Sequence, residues 1–459
     1  LNIIKEDTKL KISNRINIKN ISINSKIIKK NDIFFAIKGR KIDGNKFTSE
    51  ALKSGASFAV VNRINKKYPI SKQIKVKNTL RFLTKCSSIF RENINAKIIS
   101  ITGSCGKTTL KDMIGTTLKK ISKTTYSPKS FNNKYGVPLS LLNLKQNDEF
   151  GVFEVGMDKK GEIDNLTKII KPDLGIITNI SYAHSKNFKN INQIADAKAE
   201  IMNNIKENGT IVLNMDDDFY DYHKSLAIKK KLKVSSFSIK NKLSTVRLIK
   251  IKKIKGKYEL FINIDGSIIT FYSDNDNKNN IYNILATLVV INLHSNIKKL
   301  KKDTFLDFKI PSGRGDISKI KINHKQIFLV DESYNSNPLS LKTAIENFDK
   351  IESNNSKKYL ILGDMLELGK HSIKQHKLIS KIVNKTKINH VYVIGKYIKE
   401  TFNGLKSSKK AKILTNKLSI INLINNNINN NDYVMIKGSN STNLHKITSS
   451  LKQRRQYAI

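Results

Sequence analysis

Tryptophan is absent, cysteine occurs twice, and only 37 acidic residues stand against 84 lysines and arginines in a chain of 459 residues. Each shortage excludes something. Two cysteines, Cys86 and Cys105, build neither a disulfide framework nor a metal knuckle, so a reducing, cytoplasmic setting is expected. No run of about 18 apolar residues occurs, and no membrane-spanning helix is expected. The opening LNIIKEDTKLKIS has no uninterrupted apolar stretch of the kind a secretory signal needs. Without tryptophan, and with no basic segment interleaved with aromatics, the chain offers no base-stacking platform.

What is abundant is positive charge, a formal +47. A nucleic-acid or anionic-membrane binder is one reading of that number. The lysines are spread along the whole chain and not gathered in one arm, which favours a general drift toward Lys, Asn and Ile. No stable nucleic-acid partner is therefore expected, although such a field draws in anionic substrates. A hydrophobic fraction of 39% is adequate for packed cores, and the length implies about three domains.

Texture divides the chain accordingly. Residues 1–85 carry short apolar runs, IFFAIKG and SFAVVN, around an amphipathic segment. Residues 86–311 alternate short β-branched runs (KIISITGS, FGVFEVG, DLGIITNI, TIVLNMD) with helical patterns, which predicts a parallel sheet with crossover helices. Within them, 241–275 alternate as a β-hairpin region does, and NNIYNILATLVVINL reads as a helix. After PSGRG the alternation restarts with IFLVDES, KYLILGDM, HVYVIGK and DYVMIKGS, so 312–459 form a third α/β domain. The fold class is α/β in three domains.

The strongest local signal is the strand Ile98–Ile101 running into Thr102, Gly103, Ser104, Cys105, Gly106, Lys107, Thr108 and Thr109. A glycine turn between a strand and a helix points backbone N–H groups at a phosphate chain. Lys107 then neutralises phosphate charge and Thr108 offers a hydroxyl to magnesium. Glu154 lies in the apolar strand FGVFEVG, where an uncompensated carboxylate is costly; a metal ion on the phosphates or a lysine partner resolves it. His184, beyond DLGIITNI, reads equally as a surface residue or as a ligand at a strand's carboxyl edge. Lys198 shares a helical stripe with Ile194, Ala197, Ile201 and Ile205. It must snorkel, find an anion or lose its charge, and by helix pattern alone snorkelling is favoured.

Together these segments, in this order, resemble the Mur ligase family of ATP-dependent amino acid and peptide ligases. The resemblance covers nearly the whole chain. SFNNKYGVPL at 130–139, DESYNSNP at 331–338, LGDMLELG at 362–369 followed by His376, and KGS at 437–439 are similar to the branch that acts on D-alanyl-D-alanine. The expected reaction is then ligation of that dipeptide to a UDP-N-acetylmuramoyl-tripeptide, with ATP and two magnesium ions, by a monomer. The resemblance implies a uridine-nucleotide-binding first domain, a central P-loop ATPase domain and a Rossmann-like third domain. It assigns Thr108 and Glu154 to one magnesium, and His184 with a carbamylated Lys198 to the other. Arg314 is implied for the γ-phosphate, Asp331 for the ribose and Asn283 for adenine. Ser25, Asn132, Asn133, Tyr334, Asn335 and Asn337 are implied for the substrates. The text departs from the pattern at Asn24 and Lys26, at Ser130, at Asn279 where a histidine is usual, at Asn440 for arginine, and at His445 for glutamate.

Overall fold

The computed structural model describes residues 18–39, 42–322, 324–353 and 355–453, so the opening LNIIKEDTKLKIS, expected to lack a secretory signal, lies outside the described part. Among the described residues three sheets form, of four, nine and six strands. The first sheet holds β1 (Ile21–Ser22), β2 (Ile33–Phe35), β3 (Phe58–Val61) and β4 (Gln73–Lys75), in that order and all parallel. Because side chains alternate across a strand, Ile33, Phe35, Phe58 and Val60 pack on the helix Thr79–Glu92 through Phe82, Leu83 and Cys86. Phe34, Ala59 and Val61 cover the opposite face with Ala51.

That helix also spans residue 85, where the first domain is expected to end. Its last turn carries Arg91, only 3% exposed. The guanidinium donates to the carbonyls of Ile170 (2.6 Å), Ile94 (3.1 Å) and Lys171 (3.0 Å) and to Asp173 Oδ2 (3.1 Å). Arg91→Met fills similar space but orphans these acceptors, and an expected loss of about 3 kcal/mol follows. Chemical denaturation checks it: a midpoint matching the parent would show that the buried fork does not stabilise the protein.

The second sheet is built from β5 (Lys97–Thr102), β6 (Thr124–Tyr126), β7 (Phe150–Glu154), β8 (Leu174–Ile177), β9 (Thr210–Asn214), β10 (Lys233–Ser238), β11 (Val246–Ile254), β12 (Lys257–Ile264) and β13 (Ser267–Ser273). Their spatial order is β13-β12-β11-β10-β9-β8-β5-β7-β6. The strands up to β11 pair in parallel, and β11, β12 and β13 form antiparallel hairpins, as the alternation over 241–275 predicts. Helices cover both faces, the helix Lys278–His294 burying Ile284, Leu285, Leu288 and Val289 against one of them. β5 is where the chain order reverses, with β8 on one side and β7 on the other. Crevices beyond the carboxyl ends of strands at such a point are where α/β sheets hold ligands.

The third sheet comprises β14 (Asp316–Ile322), β15 (Lys325–Glu332), β16 (Lys358–Gly363), β17 (His390–Ile394), β18 (Lys410–Ile413) and β19 (Tyr433–Lys437), ordered β14-β15-β19-β16-β17-β18. Only β14 runs antiparallel. No helix among the described residues is long and apolar enough to cross a membrane.

Candidate active site

Beyond β5 the chain turns through Gly103 at φ +142° and Gly106 at φ +82° and enters the helix Lys107–Lys119. A Cβ on Gly103 would lie 1.9 Å from Thr178 Oγ1, so this turn admits only glycine. Its backbone is held by neighbouring strand ends: Thr178 Oγ1 donates to Cys105 O (2.6 Å), and Cys105 N–H donates to Asn179 Oδ1 (2.9 Å). The loop borders a cavity of about 400 Å³ lined by Ser104 to Thr109, Ser130, Asn132, Glu154, His184, Asn283, Arg314, Tyr334, Asn335, Asn337 and Glu367. Lys107 Nζ donates to Gly103 O (2.7 Å) across the open loop. Burial pushes its pKa down, and the carboxylate of Glu154 partly offsets that.

Glu154, at the end of β7, is buried. Its Oε2 accepts from Thr108 Oγ1 (2.6 Å) and its Oε1 from Asn132 Nδ2 (2.7 Å). Among the described residues no lysine pairs with it, so the lysine-partner reading fails. The hydroxyl of Thr108 and the carboxylate of Glu154 are adjacent oxygen donors, the set a hard divalent cation takes.

Lys198 sits at the end of the helix Ile191–Ala199, which tightens into a 3₁₀ segment at Glu200–Asn204. The amine does not snorkel. The residue is 2% exposed, and among the described residues no carboxylate forms an ion pair with it. Burial, and then the charge of Lys107, holds its pKa well below the usual lysine range. The helix pattern missed this because it cannot see what packs over the exposed-looking end of the stripe.

His184 adopts the left-handed conformation at φ +55°. Its Nδ1 lies 3.0 Å from Asp158 Oδ1 and 2.6 Å from Glu367 Oε2. Burial disfavours the charged ring, but the two carboxylates more than reverse that and raise its pKa; they in turn are lowered by it. Asp158 and Glu367 carry no sequence signal individually. Only Glu367, inside LGDMLELG, sat in a quoted motif.

The third domain enters from the other side. Arg314 NH2 donates to Thr108 Oγ1 (2.8 Å) and to Ser130 Oγ (3.3 Å), and its guanidinium stacks 4.3 Å over the Tyr334 ring. Tyr334 donates its hydroxyl to Ser130 Oγ (2.8 Å). Asn337 Oδ1 accepts from the Cys105 thiol (3.1 Å), and its Nδ2 donates to Ser104 O (3.3 Å). Asn440, the arginine departure, donates Nδ2 to Tyr334 O (3.2 Å), tying the KGS loop to the Tyr334 loop. Lys437, buried against Glu332 Oε2 (3.0 Å), also supports that loop through Asn335 O (3.0 Å).

Besides Gly103 and Lys198, four candidates lie outside the cavity lining. Thr102 is buried beneath the loop, and Asn133 is exposed, its Oδ1 accepting from the Tyr135 and Gly136 N–H groups of its own turn. Ser25 lies in the first domain, donating to Glu50 Oε2 (2.8 Å). Asp331 is 2% exposed and outside the cavity lining, with Ser333 on Oδ1 and Lys452 on Oδ2. Asn283 does line the cavity, beside Asn277, Asn279 and Asn280.

Family models match three stretches in sequence: "Mur ligase family, catalytic domain" over 17–91, "Mur ligase middle domain" over 101–291, and "Mur ligase, glutamate ligase domain" over 318–440. The chain is 31% identical to a UDP-N-acetylmuramoyl-tripeptide--D-alanyl-D-alanine ligase of Rickettsia prowazekii, covering 95% of this chain and 96% of that one. It is 34% identical to the ligase of the same name from Buchnera aphidicola subsp. Acyrthosiphon pisum, covering 95% and 93%. The structure of MurF from Acinetobacter baumannii superposes with a TM-score of 0.83 at 25% identity, covering 98% of both chains. That of MurF ligase from Thermotoga maritima in complex with ADP gives 0.79 at 24% identity, covering 97% and 100%, and the fold is shared.

Proposed function

Because this chain belongs to the Mur ligase family, we propose that it is the ATP-dependent ligase that joins D-alanyl-D-alanine to a UDP-N-acetylmuramoyl-tripeptide in peptidoglycan biosynthesis. The observation that carries this reading is the hydrogen bond from Arg314 of the third domain to Thr108 of the phosphate loop, which brings both halves of the cavity to one point.

The chemistry requires two anions to meet: the tripeptide's terminal carboxylate attacks the γ-phosphorus of ATP, and ADP leaves. The amine of the dipeptide then attacks the carbonyl of the acyl phosphate, loses its proton, and inorganic phosphate leaves. Lys107, Arg314 and the loop N–H groups stabilise the charge that gathers on the transferred phosphoryl group. Thr108 and Glu154 would hold one magnesium ion, and His184 with a carbamylated Lys198 a second; such ions screen the phosphate oxygens from the incoming carboxylate. Asn283 faces the adenine. Tyr334, Asn335 and Asn337, with Asn132, line the acceptor side, where closure of the third domain keeps water from the acyl phosphate. The first domain, with Ser25, takes the uridine nucleotide. We read the enzyme as a monomer, and a chain with so few cysteines fits a reducing, cytoplasmic setting.

Incubation with ATP, magnesium, UDP-N-acetylmuramoyl-tripeptide and D-alanyl-D-alanine tests the reading by mass spectrometry. The expected product weighs the sum of tripeptide and dipeptide substrates less one water. Phosphate release stimulated by another amino acid or by nucleic acid, with no such product, would sink it.

A further inference from the structure

The helix Leu444–Gln453 packs against β14, β15 and β19, and β14 follows directly on the loop that carries Arg314. Lys452 Nζ donates to Asp316 Oδ2 (2.5 Å) and Asp331 Oδ2 (2.6 Å), and lies 3.4 Å from Ser312 Oγ. The two aspartates face each other across the β14–β15 pair, where their charges would repel without a shared cation. Both reach the loop. Asp316 Oδ1 accepts from Gly313 N–H (2.7 Å), and Asp331 O accepts from Gly315 N–H (2.8 Å). The residues flanking Arg314 are thus tied to these two aspartates, Gly313 to the carboxylate of Asp316 and Gly315 to the backbone carbonyl of Asp331, and one lysine holds the two side chains together. A third link exists: Ser333, which donates to Asp331 Oδ1, meets Thr448 Oγ1 of the same helix at 2.9 Å.

We propose that Lys452 is a positioning residue for Arg314: clamping Asp316 and Asp331, it sets the loop that aims the guanidinium at Thr108. Asp331 acts here as a post in that clamp. Both of its oxygens are occupied and it stays outside the cavity, so the ribose role that the resemblance implies for it passes to residues that line the cavity. The two carboxylates also raise the pKa of Lys452 against the effect of burial, so the clamp keeps its charge through the neutral range.

This inference rests on the assignment of Arg314 to the γ-phosphate. The test is therefore the preference for ATP over ADP, measured by calorimetry with magnesium and no acceptor. Arg314→Ala is expected to erase most of that preference. Lys452→Met and Asp316→Asn are each expected to lower it about tenfold, the value of one misplaced charged hydrogen bond, and Lys452→Arg to restore it. Lys452→Met added to Arg314→Ala should cost nothing more, since both act through one guanidinium. Thermal melts confirm that each variant is folded. Parental ATP preference in folded Lys452→Met and Asp316→Asn, while Arg314→Ala loses it, overturns the clamp alone, as do additive losses in the double variant. A parent protein whose preference Arg314→Ala leaves intact overturns the assignment of Arg314 itself.

Discussion

Glu154→Ala is expected to lower turnover by about 10³-fold or more while the protein stays folded. The carboxylate is buried at a strand end, where it accepts from two neutral donors beside Lys107 and the phosphate loop. Its removal strips the loop threonine of the group that orients its hydroxyl. The stability cost is limited to two unpaired donors, about 1–3 kcal/mol. Glu154→Gln separates charge from shape, since it retains an acceptor for Thr108 but no net charge. It should be nearly as inactive as the alanine variant and more stable. The measurement is phosphate release together with a thermal melt, and near-normal release by either variant contradicts the metal role.

Lys198→Ala is expected to lose activity about 10²-fold or more and to recover part of it in formate or acetate. A buried amine with no carboxylate partner among the described residues and a strongly depressed pKa is deprotonated at neutral pH more readily than a surface lysine, and a neutral amine is the form that captures carbon dioxide. A small carboxylate entering the space left by alanine replaces the anion that the carbamate would supply. Full activity without any additive removes the carbamate. The same pKa has a consequence for stability. A lysine lowered in the folded state binds fewer protons there than in the unfolded chain, so it opposes folding at neutral pH. That penalty fades as pH rises toward the unfolded lysine value of about 10.4. Lys198→Met, in buffer free of carbon dioxide, should therefore melt above the parent at neutral pH, with the gap closing as the pH is raised. A gap that widens with pH would contradict the sign.

The phosphate loop was legible because its signal is local: an apolar strand, two glycines and a helix start lie within a dozen residues, and φ values at Gly103 and Gly106 are demands that the chain itself makes. Glu154 was legible for a similar reason, a charge in a strand whose other residues are apolar. The burial of Lys198 was half legible. The stripe through Ile194 and Ile201 marks the face that packs, but a lysine on that face can reach water or not depending on which distant segment covers it. Asp158 gave no signal, and Glu367 only as one letter of LGDMLELG, because an acidic residue in a surface loop is ordinary until the fold brings a histidine from another stretch of chain between the two.

Periodicity, glycine placement and the order of strands and helices, all short-range properties of covalent geometry and burial, already determined three α/β domains and a nucleotide loop in the amino-acid sequence. The docking of Arg314 on Thr108, the isolation of the Lys198 amine and the capture of Asp331 by Lys452 were decided only in three dimensions. Each depends on the direction in which separate sheets present their side chains to one another. That direction is set by the packing of whole domains, and no local stretch of chain encodes it.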